Sequence, residues 1–189
     1  MAKRHGPWTI HETTRKYEHE LLEIYEDSVT RPDGSHGTYA VAKIKPGVGV
    51  LAVDGDGAAY LAREFRYAVG RECVEVVGGA IEEGEGLDGA ARRELREELG
   101  IEAETLVALG HVDPLTSIID SPSHLFLATG LTFVEKENEG SERIKTQRMP
   151  LDEAARMALA GEITHGASCT LILRSQNYLR ELDEKPRAS

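Results

Sequence analysis

Glu94, Glu97 and Glu98 are the residues of this sequence that most plainly invite a chemical reading. They fall in residues 85–99, where Leu87, Ala91, Leu95 and Leu99 recur every fourth position and Gly100 supplies a stop, so a helix is predicted there. At about 100° per residue, with Leu87 at zero, Ala91, Leu95 and Leu99 fall at about 40°, 80° and 120° and define the stripe expected to be buried. Glu98 falls at about 20°, inside that stripe, and Glu94 at about 340°, beside it; Arg92, Arg96 and Arg93 fall at about 140°, 180° and 240°. Two carboxylates a turn apart at the edge of a core repel each other and raise each other's pKa unless a cation joins them. A divalent metal is the simplest remedy. With no histidine or cysteine nearby, the donors suit a hard ion such as Mg²⁺ or Mn²⁺, which usually arrives with a substrate's phosphates. The ordinary alternative is a solvated acidic helix held by intrahelical ion pairs, but such a helix has no reason to turn two acids toward the core.

The elements that must hold these residues are read from period and turn signals. From Trp8 to about Leu61, short apolar or alternating runs read as antiparallel strands, among them residues 21–25 and 39–44 on either side of the turn Arg31-Pro-Asp-Gly34. Residues 48–53 and 58–61 flank a second hairpin signal, Asp54-Gly-Asp-Gly57. Residues 65–77 are strand-rich and run into Gly78-Gly79, the start of a glycine-bearing loop that lets the backbone approach a metal or a phosphate. No Gly-Lys-Ser/Thr follows it, so it is not a P-loop. After the helix, residues 106–112, 125–128, 131–134 and 144–149 read as strands, and 151–159 and 167–182 as helices. This order predicts a single α/β sandwich, with the strand-rich first fifty residues as a small arm.

Composition narrows the partners. The chain has 189 residues, 40% hydrophobic and 29% charged, enough for one domain with an extra arm. Its formal net charge of −11 disfavours nucleic acid held by its phosphates, and 5% aromatics speak against a base-stacking platform. Residues 72–104 carry eleven acids against Arg92, Arg93 and Arg96, so most of the surplus is concentrated there. Cys73 and Cys169 have neither CxxC spacing nor histidine partners, which gives a zinc site or disulfide framework no support; they read as buried small apolar groups in a protein of the reducing cytoplasm. The N-terminus is polar and no run approaches the roughly 18–20 apolar residues of a membrane span, so neither export nor membrane insertion is expected.

Gly79, Glu85, Arg93, Glu94, Leu95, Glu97, Glu98, Gly100 and Ile101 stand at the intervals of the Nudix box, and the sequence resembles that family at every specified position. The resemblance implies an α/β/α sandwich with a mixed sheet and an Mg²⁺-dependent hydrolase that cleaves a nucleoside diphosphate linked to another group. By position, Glu94 and Glu98 look like direct metal ligands and Glu97 like a further one, often through water. The carbonyl of Gly78 resembles a backbone ligand. Glu85 and Arg93 resemble the pair that holds the loop on the helix, and Gly79 and Gly100 belong to the same frame. Arg63-Glu-Phe-Arg66 and Val74-Glu-Val-Val-Gly-Gly79 resemble segments of ADP-ribose and nucleotide-sugar pyrophosphatases, as do Glu137-Asn-Glu-Gly-Ser-Glu142 and Gly161-Glu-Ile163. In that subfamily an N-terminal strand arm often swaps across a homodimer. Residues 1–50 are therefore expected to be a dimerising arm and 51–189 the catalytic domain, with Arg63, Arg66 and Glu75 on the substrate and the arginines clamping its diphosphate. Glu64 where the subfamily has Gln, Val77-Gly78 in place of its Pro-Ala, and a segment 113–122 without its usual Pro-Gly and downstream glutamate leave the sugar preference open.

Pyrophosphate hydrolysis needs charge neutralised on the phosphate oxygens, an in-line water and a base. In related enzymes the base is commonly a glutamate from a loop after the box. Glu142 is favoured here, then Glu139, with Glu137 also in the loop, because 144–149 reads as the strand such a loop should feed. The expected activity is release of a nucleoside monophosphate and a sugar phosphate from a nucleotide sugar such as ADP-ribose. The alternatives are hydrolysis of a nucleoside triphosphate or dinucleoside polyphosphate, and a non-catalytic nucleotide-sugar-binding regulator, which should have a degraded box.

Overall fold

Alternating apolar runs and glycines at turn positions fold the chain into twelve strands and three helices, seen in a computed structural model that describes residues 2–136 and 144–184. Backbone contacts separate one unit, which runs to Pro46 and includes Asp113–Pro122, from a second made of Gly47–Val112 and the chain from Ser123 onward.

The first unit is an antiparallel ribbon, β1 (Lys3–His5), β2 (Trp8–Glu18), β3 (Leu22–Thr30) and β4 (His36–Ile44), in that order. The turn between β3 and β4 is closed by Gly34 N–H on the Arg31 carbonyl at 2.9 Å, with Gly34 at φ +85°, as its Pro-Asp-Gly sequence predicts.

The second unit is built on a seven-stranded mixed sheet. Its elements are β5 (Gly47–Val53), β6 (Ala58–Arg66), β7 (Arg71–Glu75), β8 (Val77–Ala80), α1 (Leu87–Leu99) and β9 (Ile101–Val112), and later β11 (Ser123–Phe133), β12 (Lys145–Pro150), α2 (Leu151–Leu159) and α3 (Gly166–Glu184); β10 (Ile119–Asp120) belongs to the first unit, parallel to β4. The sheet order is β12-β6-β5-β11-β9, with β7 bonded to β6 and β8 to β5; β5 and β11 run parallel and the other pairs antiparallel. Period-two alternation assigns its faces. Leu51, Val53, Ala59 and Leu61 pack with Leu171 and Ile172 of α3 and Ala154 and Ala155 of α2, whereas Val50, Ala52, Tyr60 and Ala62 pack with Ala90, Ala91, Leu95 and Leu99 of α1. The result is the expected α/β/α sandwich.

Three details differ from the expected pattern. The two strands expected over 125–128 and 131–134 are one strand ending at Phe133, because Gly130 takes φ +67° and the ladder to β9 resumes at Leu131↔Ala103. The two residues of β10 were not anticipated. The buried stripe of α1 is rotated: Leu87 is 40% exposed, while Ala90 and Glu94 are buried with Ala91, Leu95 and Leu99.

Candidate active site

β5 and β6 are paired next to their hairpin, Ala52↔Tyr60 and Val53↔Ala59. Farther along they part, and residues 71–80 fill the gap, with β7 bonded to β6 over Ala62–Arg66 and β8 bonded to β5 over Gly47–Val50. The change of partner falls at Val76, whose N–H donates instead to Ser168 Oγ at 3.0 Å. Val74 and Val76 join the α2/α3 core, so Glu75 between them points to the α1 side. α1 lies close over β8. A Cβ at Gly78 would fall on the Val48 carbonyl oxygen, so that position excludes any side chain, and one at Gly79 would displace the Glu94 carboxylate.

This close approach buries the acids of α1. Glu94 is 8% exposed and Glu98 is half-buried. Burial pushes both carboxyls above the ordinary range, Glu98 to about 7, although the Gly78 N–H donates to Glu98 Oε1 at 3.3 Å and Arg66 lies close enough to lower it in part. Gly78 thus reaches Glu98 through its N–H. Arg93 gathers the rest. It donates to both oxygens of Glu85 at 3.0 Å, to Glu94 Oε1 at 2.7 Å, to Glu97 Oε2 at 3.2 Å and to the Ala80 carbonyl at 3.0 Å. The bidentate bond to Glu85 holds the Arg93 guanidinium far above its usual value, and Glu82 N–H donates to Glu85 Oε2 at 3.1 Å, which ties the loop to the helix.

Arg66 donates to Glu75 Oε2 through Nε at 3.2 Å and Nη2 at 3.0 Å, and its Nη1 meets Glu64 Oε2 at 2.8 Å. Glu75 is 8% exposed. The structure therefore brings together Arg66, Glu75, Gly78, Glu98, Glu94 and Arg93. Arg63 is not drawn in. Three residues from Arg66 on one strand, it faces the other side of the sheet and reaches Gln147 Oε1 and Glu72 Oε2, each at 3.4 Å. Glu137, Glu139 and Glu142 lie outside the described residues. Gly100 closes α1 at φ +64° with its N–H on the Arg96 carbonyl. Cys73 and Cys169 are free thiols, half-buried rather than fully buried as expected.

Sequence reasoning missed Glu64 as an ion-pair partner of Arg66, and it missed His165, which sits 3.6 Å from Glu75 Oε2. Alternation along β6 puts Glu64 on the Arg66 face and was available from the sequence. His165 had no local signal.

Among the described residues no three His, Cys, Asp or Glu side chains converge as a ready ligand set, and Arg93 engages Glu94 and Glu97. The donor chemistry nonetheless fits a hard divalent cation: only oxygen donors are present, and two like-charged carboxylates are held partly out of water with their pKa raised by burial.

A family model described as NUDIX domain matches residues 43–167. The chain belongs to the NUDIX family. The ADP-ribose pyrophosphatase of Bacillus subtilis (strain 168) is 28% identical over 146 residues, spanning 76% of this chain and 79% of that protein. The ADP-ribose pyrophosphatase of Mycobacterium tuberculosis (strain ATCC 25618 / H37Rv) is 30% identical over 156 residues, spanning 81% and 75%. A crystal structure of an ADP compounds hydrolase superposes with a TM-score of 0.84 at 20% identity, covering 97% of this chain and all of the other, which establishes the shared fold.

Proposed function

We propose that this Nudix hydrolase cleaves the pyrophosphate bond of nucleoside diphosphate sugars such as ADP-ribose, giving a nucleoside monophosphate and a sugar phosphate, with Mg²⁺ as its ion and Mn²⁺ as a substitute. The observation that carries this reading is the burial of Glu94 and Glu98 against Gly78-Gly79, with Arg66 beside Glu98. The names of the two pyrophosphatase relatives support the nucleotide-sugar class. Glu94 and Glu98, with Glu97 and the Gly78 carbonyl, would hold the ion, which when bound supplies charge neutralisation on the diphosphate and a lowered pKa for the attacking water. Arg66, anchored by Glu75 and Glu64, is turned toward that ion site and positions the diphosphate. Arg93 and Glu85 hold the loop in place and take no part in proton transfer. Glu142, or after it Glu139, accepts the proton of the water.

The proposal extends to a homodimer that exchanges its N-terminal ribbon, supported by the exposed apolar residues Tyr17, Leu21, Ile24 and Ile44 on that ribbon, and to a reducing compartment, supported by the two free thiols. Among the described residues no helix is long and apolar enough to cross a membrane.

A panel of nucleotide sugars with Mg²⁺, with products resolved, tests the reading. ADP-ribose should give AMP and ribose phosphate. Glu142→Gln should lower turnover by about 100-fold or more with metal binding intact. No cleavage of any nucleotide sugar by folded, metal-loaded protein would rule the reading out, and near-normal turnover in Glu142→Gln would rule out the base.

A further inference from the structure

His165 stands immediately before α3, and its main-chain carbonyl accepts the Cys169 N–H at 2.9 Å. Its Nδ1 lies 2.9 Å from Ser168 Oγ and 3.6 Å from Glu75 Oε2. Ser168 is fully buried, and its oxygen already accepts the Val76 N–H at 3.0 Å. A hydroxyl has one proton to give and two lone pairs, so after receiving the Val76 N–H, Ser168 can donate to His165 Nδ1 or accept from it. When Ser168 is the donor, the ring carries its hydrogen on Nε2. No described residue hydrogen-bonds to Nε2, and the side chain is 47% exposed. Val76 N–H and Ser168 hold the ring in place, and with Ser168 donating, its free edge is a donor.

The neighbour of that donor is decisive. Glu75 Oε2, which His165 approaches, is the oxygen that receives both Arg66 bonds. Arg66 and His165 thus flank one carboxylate oxygen. Arg66 completes its shell with Glu64 and keeps a side chain 39% exposed. A donor-only edge selects an acceptor, and beside a guanidinium the acceptor-rich group is an oxyanion. We propose that His165 is a substrate-binding residue whose Nε2–H donates to a diphosphate oxygen next to those held by Arg66. The proposal rests on the reading above that Arg66 engages a diphosphate.

Two isosteres separate this role from a purely structural one. Asn at 165 keeps a polar atom near the Nδ1 position, where it serves Ser168, and loses the Nε2 edge; Gln extends an N–H to the Nε2 position and gives up the Nδ1 contact. Three readouts on the full-length protein decide: the Kd of ADP by calorimetry with Mg²⁺, KM and kcat for ADP-ribose, and Tm. His165→Asn and His165→Ala should raise Kd and KM by about tenfold with kcat within about twofold, whereas His165→Gln should stay within about threefold of wild type. Wild-type affinity in His165→Asn with loss in His165→Gln would overturn the proposal in favour of a role through Ser168, and unchanged affinity in all three variants would overturn it outright. If ADP binding follows the expected order while ADP-ribose is not cleaved, the substrate reading fails and His165 stands. If ADP-ribose is cleaved and His165→Asn behaves as wild type, the reverse holds. A wild type that does not bind ADP overturns both.

Discussion

α1 and α3 pack on opposite faces of one sheet, yet they bury different chemistry. α3 turns in Ala167, Ser168, Leu171, Ile172 and Ser175, so its only buried polar groups are neutral hydroxyls. α1 turns in Ala90, Ala91, Leu95 and Leu99 together with the carboxylate of Glu94, and holds Glu98 at the same border. A hydroxyl is cheap to bury once one hydrogen bond is made, whereas a carboxylate keeps a large desolvation cost even when paired. The α3 face is therefore organised for cohesion. The α1 face retains desolvated carboxyls whose charge is costly, a cost that a proton or a bound cation relieves.

The sharpest way to break this contrast is at Glu98. Glu98→Gln removes the charge but keeps the shape, and kcat/KM for a nucleotide sugar should fall by about 100-fold or more while the protein remains folded; retained activity would place the ion elsewhere. The next largest effect lies on the other face. Leu171 is fully buried, and Leu171→Ala should cost about 3 kcal/mol and lower Tm by roughly 6–12 °C, leaving kcat below the transition unchanged. A loss of activity without loss of stability would remove the distinction between the two faces.

A smaller effect depends on pH. Glu98 is raised in the folded state to about 7, so the native protein holds this proton after the unfolded chain has released it. Its contribution to stability is fully present below the ordinary carboxylate pKa and is lost as pH rises toward about 7. Metal-free wild type should therefore lose stability across that interval relative to Glu98→Gln, as followed by urea unfolding, and saturating Mg²⁺ should restore it at neutral pH. Parallel pH profiles would show that this cost is absent. The smallest effect is at Ser175, whose buried Oγ has no partner among the described residues. Ser175→Ala should change stability by less than about 1 kcal/mol, toward greater stability.

Much of this was legible in the sequence, for physical reasons that differ by region. The spacing from Gly79 to Ile101 specifies both a helix and a charge pattern, and Pro-Asp-Gly and Asp-Gly-Asp-Gly encode their turns through glycine φ and the aspartate side chains that accept backbone N–H groups. The α1 stripe was misplaced by its first turn because helical periodicity does not know where the sheet ends, and Leu87 lies beyond it. β11 was split at Gly130 because a glycine with positive φ normally stops a strand, whereas here β9 continues to pair across it. β10 is two residues held by a parallel neighbour, too short to carry a period. The site divides along the same line. Residues in one local frame, Glu85, Arg93, Glu94 and Glu98, were found together, and Arg66 and Glu75 were named together from neighbouring segments, while His165 joins them from a distant segment and has no signature in spacing.

The ribbon of residues 71–80, which changes partner from β6 to β5 at Val76, also limits how the chain can change in length. A single residue added or removed between Val74 and Gly79 would reverse the faces of the strand residues beyond it, turning a valine toward the charged groove and a carboxylate toward Leu61 and Leu171. Loops elsewhere in the molecule can lengthen at little thermodynamic expense. This stretch should instead be intolerant of insertions and deletions, and natural variation there should proceed by substitution alone.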